Sequence, residues 1–174
     1  MVAKRLLTVL AGAGASAALA ACAMHQVGPK GERDIEAPII IRGTSANPKT
    51  CVVTLKEGEI RAHKGKFLKF RFDNYCEADI VVAVGNFRTV QDPSPAPDNC
   101  DKPYSDGLPP IFRQTDPEDF KADIDAGRPD RPKTGRIHLQ VRERSELGDK
   151  LLTYYFDVCI NRVIQKDPRL IIEE

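Results

Sequence analysis

The 174-residue chain contains no tryptophan, only three histidines and only two methionines. Without tryptophan it lacks the largest aromatic side chain, and no aromatic platform for sugar binding is evident. One methionine is the first residue, and the other, Met24, stands beside His25 near the amino terminus. Beyond residue 25, imidazole is therefore available only at His63 and His138.

The motifs of hydrolytic and redox catalysis are also missing. Ser94, Ser105 and Ser145 have no G-x-S-x-G context, which argues against a hydrolytic triad. The cysteines contain no C-x-x-C pair, which argues against a redox centre. We therefore predict that the protein is not an enzyme and uses no cofactor.

The first 21 residues contain two basic residues and no acidic one. Lys4 and Arg5 precede an apolar run at 6–10 and a series of small residues, an order typical of a secretory signal peptide. Removal of residues 1–21 leaves 24 basic and 25 acidic residues, a net charge of −1. This balance argues against a nucleic-acid partner.

The end of this segment, Leu19-Ala20-Ala21-Cys22, resembles the lipobox of bacterial lipoproteins. The resemblance implies cleavage before Cys22 and acylation of that cysteine, which anchors the chain to a membrane. Ala23 follows the cysteine, and in enterobacterial lipoproteins the absence of aspartate at this position accompanies sorting to the outer membrane. We expect an outer-membrane lipoprotein facing the periplasm, with the inner membrane or cell surface as alternatives.

Residues 22–38 are polar, contain Gly28, Pro29 and Gly31, and show no apolar periodicity. This composition is typical of a flexible tether. Met24 and His25 are ligand types for soft metals, but two of them on a tether make a poor metal site. We predict a signal peptide at 1–21, a lipidated cysteine with its tether at 22–38, and one domain at 39–174.

The strongest strand pattern occupies 66–84. Leu68, Phe70 and Phe72 alternate with Lys69 and Arg71, as in a strand with one buried face. A polar turn follows, and then a continuously apolar run at 80–84, so we predict a hairpin. Further strands are predicted at 39–42, 51–55, 59–62, 136–142, 152–160 and 169–173. Together they predict an all-β antiparallel sandwich.

Nine of the 13 prolines lie in residues 91–134, which excludes a central strand there. This segment is predicted to be a long insertion loop that carries one short helix at 116–126, docked by Phe120 and Ile124. The five acidic residues of this helix lack the ligand order of a calcium loop, so we predict a solvated helix and no bound metal. A loop of this length is commonly functional.

Apolar and aromatic residues cluster in this proline-rich loop. The cluster comprises Tyr104, Leu108, Ile111 and Phe112, the middle two separated by Pro109 and Pro110. Two interpretations stay open. These side chains pack over one end of the sandwich as a lid, or they form an exposed docking patch for another envelope protein.

Four cysteines remain besides Cys22, and an even number in an oxidising compartment predicts two disulfides. Three pairings are possible. The favoured one joins Cys76 at the predicted hairpin tip to Cys100 in the loop, and Cys51 to Cys159 between an early and a late strand.

The order of these pieces resembles the cupredoxin family. The segment HKGKFLKFRFDN at 63–74 is similar to the family's alternating strand that ends in asparagine, and TYYFDVC with DPRLIIEE is similar to its last two strands. The resemblance implies a Greek-key sandwich; an immunoglobulin-like sandwich is the alternative. The family's copper site requires two histidines, a cysteine and usually a methionine. Here Tyr75, Cys76 and Glu77 follow Asn74, and no histidine or methionine follows Cys159, so no copper site is predicted.

These observations favour a lipid-anchored cell-envelope binding or assembly module without catalytic activity, whose partners are the membrane and another envelope protein. Two alternatives stay open. One is a periplasmic copper-binding or electron-transfer cupredoxin, and the other is an envelope hydrolase with its site in the long loop.

Overall fold

A computed structural model describes residues 34–56, 58–89, 100–105 and 108–174. This part of the chain forms ten strands, a 3₁₀ helix at Pro117–Phe120 and a one-turn helix α1 at Arg144–Leu147, and neither helix is long enough to cross a membrane. The strands are β1 (Ile35–Gly43), β2 (Cys51–Leu55), β3 (Glu59–His63), β4 (Phe67–Tyr75), β5 (Ile80–Thr89), β6 (Lys121–Ile124), β7 (Lys133–Gln140), β8 (Leu152–Ile160), β9 (Val163–Lys166) and β10 (Arg169–Glu173).

The strands form two facing sheets. The first sheet has the order β2-β1-β4-β7, and the second has the order β3-β10-β8-β5-β6, with β9 also paired to β8. The predicted all-β sandwich is therefore confirmed. Its strands are not all antiparallel, because β1 pairs in parallel with β4, and β3 pairs in parallel with β10.

The alternating residues of β4 form the centre of the core. Leu68, Phe70 and Phe72 have no exposed surface, and the Phe70 ring lies 5.5 Å from the ring of Phe156 on β8 in the opposite sheet. Each fully buried side chain of this size contributes about 1.5–3 kcal/mol relative to an exposed one. The period of two therefore predicted the buried face of β4 correctly.

The hairpin predicted for residues 66–84 is wrong. Because β4 lies in the first sheet and β5 in the second, the intervening residues 76–79 cross between the layers. Asn74, which is fully buried, directs this crossing. Its amide donates to the carbonyls of Ala78 (3.1 Å) and Asp125 (2.9 Å), and its side-chain oxygen accepts the Cys76 N–H (2.9 Å). From opposite layers, the buried residues of the two strands contribute to one hydrophobic core.

The predicted boundary between tether and domain is also wrong. β1 begins at Ile35, and residues 35–38 pair with residues 68–71 of β4. The sequence predicts no strand before Ile39 because residues 22–38 are polar and show no apolar periodicity. The structure accommodates Pro38 because β2 pairs with β1 only from Ile39 onward, so this segment has one neighbouring strand in the described part of the chain.

The helix predicted at 116–126 is reduced to one 3₁₀ turn. Asp116 caps this turn by accepting the Glu118 N–H at 3.0 Å, as its position before Pro117 suggests. The chain then becomes β6 and pairs with β5, where Ile124 lies opposite Ile80. Pairing with β5 satisfies backbone groups that β5 would otherwise expose at a sheet edge.

Candidate functional site

The disulfides of the structure join Cys51 to Cys76 and Cys100 to Cys159, with Cα–Cα distances of 5.6 and 6.1 Å. The prediction of two disulfides is confirmed, whereas the favoured pairing, Cys76–Cys100 with Cys51–Cys159, is wrong. The error follows from the hairpin. Cys76 leaves β4 in the first sheet, beside the start of β2, whereas Cys159 lies on β8 in the second sheet. The lipidation candidate Cys22, together with Met24 and His25, falls outside the described residues.

The apolar cluster of the proline-rich loop packs as a lid. Ile111 and Phe112 are buried, and Tyr104 and Leu108 pack against the core from partly buried positions. The Phe112 ring lies 5.1 Å from the ring of Phe87 on β5. A docking patch is therefore the wrong interpretation for Ile111 and Phe112, because neither offers a surface to a partner.

The Tyr104 hydroxyl stabilises this lid through two hydrogen bonds. The oxygen accepts the Phe112 N–H at 3.2 Å, and the O–H donates to the Gln114 carbonyl at 3.4 Å. Burial raises the pKa of Tyr104 to about 12, an effect that its backbone hydrogen bond only partly offsets. The phenol is therefore neutral at physiological pH and has a structural role.

Residues 100–105 form a covering segment on the second sheet, with Cys100 against the outer-face residues Ala83 and Cys159 and Tyr104 in a parallel bridge with Phe87 of β5. The N–H groups of Asn86 and Phe87 donate to the carbonyls of Lys102 (2.9 Å) and Pro103 (3.0 Å). The β5 register shifts between Gly85 and Arg88, and this shift turns those N–H groups toward the covering segment. A Cβ on Gly85 would lie 2.8 Å from the Lys102 carbonyl oxygen, so only glycine permits this approach.

A buried polar cluster lies beneath the covering segment. Asp157 on β8 has no exposed surface and accepts hydrogen bonds from Asn86 Nδ2 (2.8 Å) and Arg88 Nη1 (3.0 Å). These bonds neutralise and solvate a carboxylate that burial alone would destabilise. Strand alternation places Asp157 away from the core, but the sequence contains no signal that a loop would cover it.

A groove lies beside the Cys100–Cys159 disulfide, at the edge of this covered face. Its volume is about 510 Å³. We call it the disulfide groove, and it is lined by Val81, Ala83, Cys100, Asp101, Lys121, Asn161 and Arg162. The floor is apolar, whereas the rim carries two ion pairs, Arg162 with Asp101 and Lys121 with Glu118. The groove therefore combines an apolar floor with ion-paired charges at its rim.

The turn between β8 and β9 builds one wall of the groove in a strained conformation. Asn161 and Arg162 have φ angles of +48° and +70°. Asparagine tolerates this region, whereas arginine is uncommon there, and glycine usually occupies the second position of such hairpin turns. Asn161 is held by Val81, since its side-chain oxygen accepts the Val81 N–H at 2.9 Å. Arg162 is held by Asp101 through two hydrogen bonds, the Nε–Oδ1 distance being 3.0 Å.

This ion pair also has an electrostatic effect, because the hydrogen bonds from Arg162 hold the pKa of Asp101 below its usual value. Positive-φ residues other than glycine persist where the surroundings fix them, and they concentrate at functional positions. The Asn161-Arg162 turn is therefore the feature that marks this groove as a candidate site.

A second groove of about 670 Å³ lies where the start of β1 faces β3. Pro38 on its β1 side has no N–H to donate to an added strand, and Arg61 on β3 points outward in ion pairs with Glu59 and Glu173. Proline and outward charges are the usual protection of a strand edge. We interpret this groove as a protected edge.

The residues that the structure describes do not fit a copper centre. They include no group of three or more histidine, cysteine, aspartate or glutamate side chains placed to hold a metal. Cys76 and Cys159, the cysteines nearest the cupredoxin pattern, are both in disulfides and supply no thiolate. His63 and His138 lie on strands of different sheets.

No protein-family model matches the chain, and no curated protein matches it either. Among solved structures, the chain is similar to a multicopper oxidase from Pseudomonas thermotolerans, with 8% sequence identity and a TM-score of 0.35. The alignment covers 80% of this chain and 29% of that one, so the chain spans less than a third of the oxidase. At this TM-score the likeness carries no inference about function.

The strain at Arg162 predicts an ordering of two variants. Arg162→Gly and Arg162→Ala both remove the ion pair with Asp101, but only glycine adopts a positive φ without the cost of roughly 1–2 kcal/mol that other residues incur. We expect the glycine variant to be the more stable of the two in denaturant unfolding. Equal midpoints, or a more stable alanine variant, would show that the turn is not strained.

Proposed function

We propose that the protein is a lipid-anchored module of the bacterial cell envelope that binds another envelope protein in the disulfide groove and has no catalytic activity. The observation that carries this proposal is the groove itself, whose apolar floor lies beside a strained, ion-paired turn. Asn161 and Arg162 form that wall with positive φ angles, which cost conformational energy. Strained residues of this kind are commonly found at binding sites.

The chemistry of the groove favours binding over catalysis. The charged side chains on its rim, Arg162 and Lys121, are engaged with Asp101 and Glu118. No described histidine or serine lines the groove. An extended segment with apolar side chains can bury them on the floor and place its polar groups against the rim, the usual arrangement of a protein–protein contact.

The anchoring part of the proposal rests on the lipobox-like Leu19-Ala20-Ala21-Cys22 and on the basic, acid-free segment before it. Acylation at Cys22 and sorting to the outer membrane would present the domain to the periplasm. Two disulfides suit that oxidising compartment. We further propose that the domain is a cupredoxin-like sandwich in which Cys76 and Cys159, the cysteines nearest the family's pattern, form disulfides and bind no copper. The domain then acts as a scaffold stabilised by disulfides.

Site-specific photocrosslinking tests the binding surface. Val81 on the groove floor and Val52 on β2 are both valines in strands, with exposed fractions of 41% and 38%, but Val52 lies on the other sheet. A benzophenone amino acid at position 81 should crosslink one abundant envelope protein in native membranes, and the same group at position 52 should not. Equal crosslinking at the two positions, or none at position 81, would contradict the proposed use of the groove.

Fatty-acid labelling tests the anchor. Cells given an alkyne-tagged fatty acid should label the wild-type protein, and the Cys22→Ser variant should lose the label completely because the four described cysteines are all in disulfides. A Cys51→Ser and Cys76→Ser double variant serves as the control and should keep the label. An unlabelled wild-type protein would refute lipidation.

A further inference from the structure

The chain enters the domain at the start of β1, which lies beside the start of β4. Asp34, twelve positions after Cys22, is bonded there: its Oδ1 accepts the Phe67 N–H at 3.2 Å, and its Oδ2 pairs with Lys69 Nζ at 2.8 Å. Twelve residues reach at most about 40 Å even when fully extended. An anchor at Cys22 therefore keeps Phe67 within that distance of the acylated cysteine.

The end of the sandwich around this attachment point exposes two large apolar side chains. Phe67 is 37% exposed, and Leu151, just before β8, is 63% exposed. Lys64 connects the residues before β4 to the residues before β8, because its ammonium donates to the carbonyls of Gly148 (2.7 Å) and Lys150 (2.8 Å). We call Lys66, Phe67, Lys150 and Leu151 the anchor-side surface.

The charges of the anchor-side surface are unbalanced. The carboxylates at this end of the domain have cationic partners: Asp34 pairs with Lys69, Glu143 with Arg113, Glu146 with Arg142, Asp149 with Arg144 and Glu174 with Arg144. Lys66 and Lys150 form no close ion pair with a carboxylate among the residues that the structure describes, although the charge of Lys66 adds to that of Lys69 in acting on Asp34. Each of these lysines directly precedes an exposed apolar residue. Because Arg144 serves both Asp149 and Glu174, the two lysines leave a small positive excess among these groups.

We propose that the anchor-side surface contacts the membrane, with Phe67 and Leu151 in the interfacial region and Lys66 and Lys150 against anionic lipid headgroups. The pairing of apolar and basic residues is the chemistry of interfacial binding. The proposal rests on the anchor at Cys22, because two apolar residues and two lysines bind a bilayer weakly unless the domain is already held beside it. In this arrangement the domain rests end-on on the lipid surface.

Tryptophan placed at one end of β8 or the other tests this contact. The chain has no tryptophan, so a single substitution gives an unambiguous signal. Leu151→Trp lies before the start of β8, and Val163→Trp lies beyond its end at a similar exposed fraction, 59% against 63%. Each acylated mature protein is reconstituted in vesicles of phosphatidylethanolamine and phosphatidylglycerol that contain a brominated lipid.

We expect the brominated lipid to quench the Leu151→Trp variant at least about twofold more than the Val163→Trp variant, because interfacial side chains lie roughly 5–10 Å deep in the headgroup region. Adding Lys66→Glu and Lys150→Glu should weaken the contact by at least about thirtyfold, because the loss of each lysine near an anionic surface accounts for about fivefold and the new carboxylates are repelled. Vesicles of phosphatidylcholine alone should reproduce that loss. Circular dichroism checks that each variant is folded.

The outcomes separate this inference from the anchor on which it rests. Acylated protein that floats with the vesicles but shows equal quenching at positions 151 and 163 overturns the contact while the anchor stands. Greater quenching at position 151 that neither charge reversal nor neutral lipid reduces overturns the anionic-lipid part. A protein that carries no fatty-acid label refutes the anchor, and selective quenching when that protein is mixed with anionic vesicles would still support the contact.

Discussion

The Cys100–Cys159 disulfide is the constraint on which the second sheet depends. Cys159 points away from the core, yet it is fully buried, because Cys100 and Ala83 pack against it. The segment before β6, in its described residues from Cys100 to Phe120, has no regular strand ladder and pairs with the strands only in isolated bridges at Tyr104 and Phe112. The disulfide instead fixes it to β8, and closing a loop of 59 residues stabilises the fold by about 4 kcal/mol on the chain-entropy model. The bulge at Gly85 and the buried carboxylate of Asp157 both lie under the segment that it holds.

Strand positions could be predicted from the sequence because the period of two reports which residues share a face. The bounds of β2, β8 and β10 agree with the predicted ones for this reason. The period does not report which strand pairs with which. Consecutive strands such as β4 and β5 therefore looked like a hairpin, although they lie in different sheets. The wrong disulfide pairing was a consequence of that error, since the assumed hairpin placed Cys76 beside the long loop.

The candidate site was much less predictable than the fold. Apolar residues in a proline-rich loop have the same sequence pattern whether they are buried or exposed, and only the position of Phe87 decides that Phe112 packs inward. The lining of the disulfide groove comes from four distant parts of the chain, around residues 81, 100, 121 and 161. One signal was available. Asn161-Arg162, two polar residues between apolar neighbours, has the length of a two-residue hairpin turn.

Peptide mapping of the oxidised protein tests most directly whether the long loop is fixed to the outer face of β8. Digestion without reduction should release one linked pair of peptides that contains Cys51 and Cys76, and a second that contains Cys100 and Cys159. Both pairs should disappear on reduction. A linked pair that contains Cys76 and Cys100 would contradict this arrangement, because it would tie the loop to the end of β4 and leave the disulfide groove without its floor.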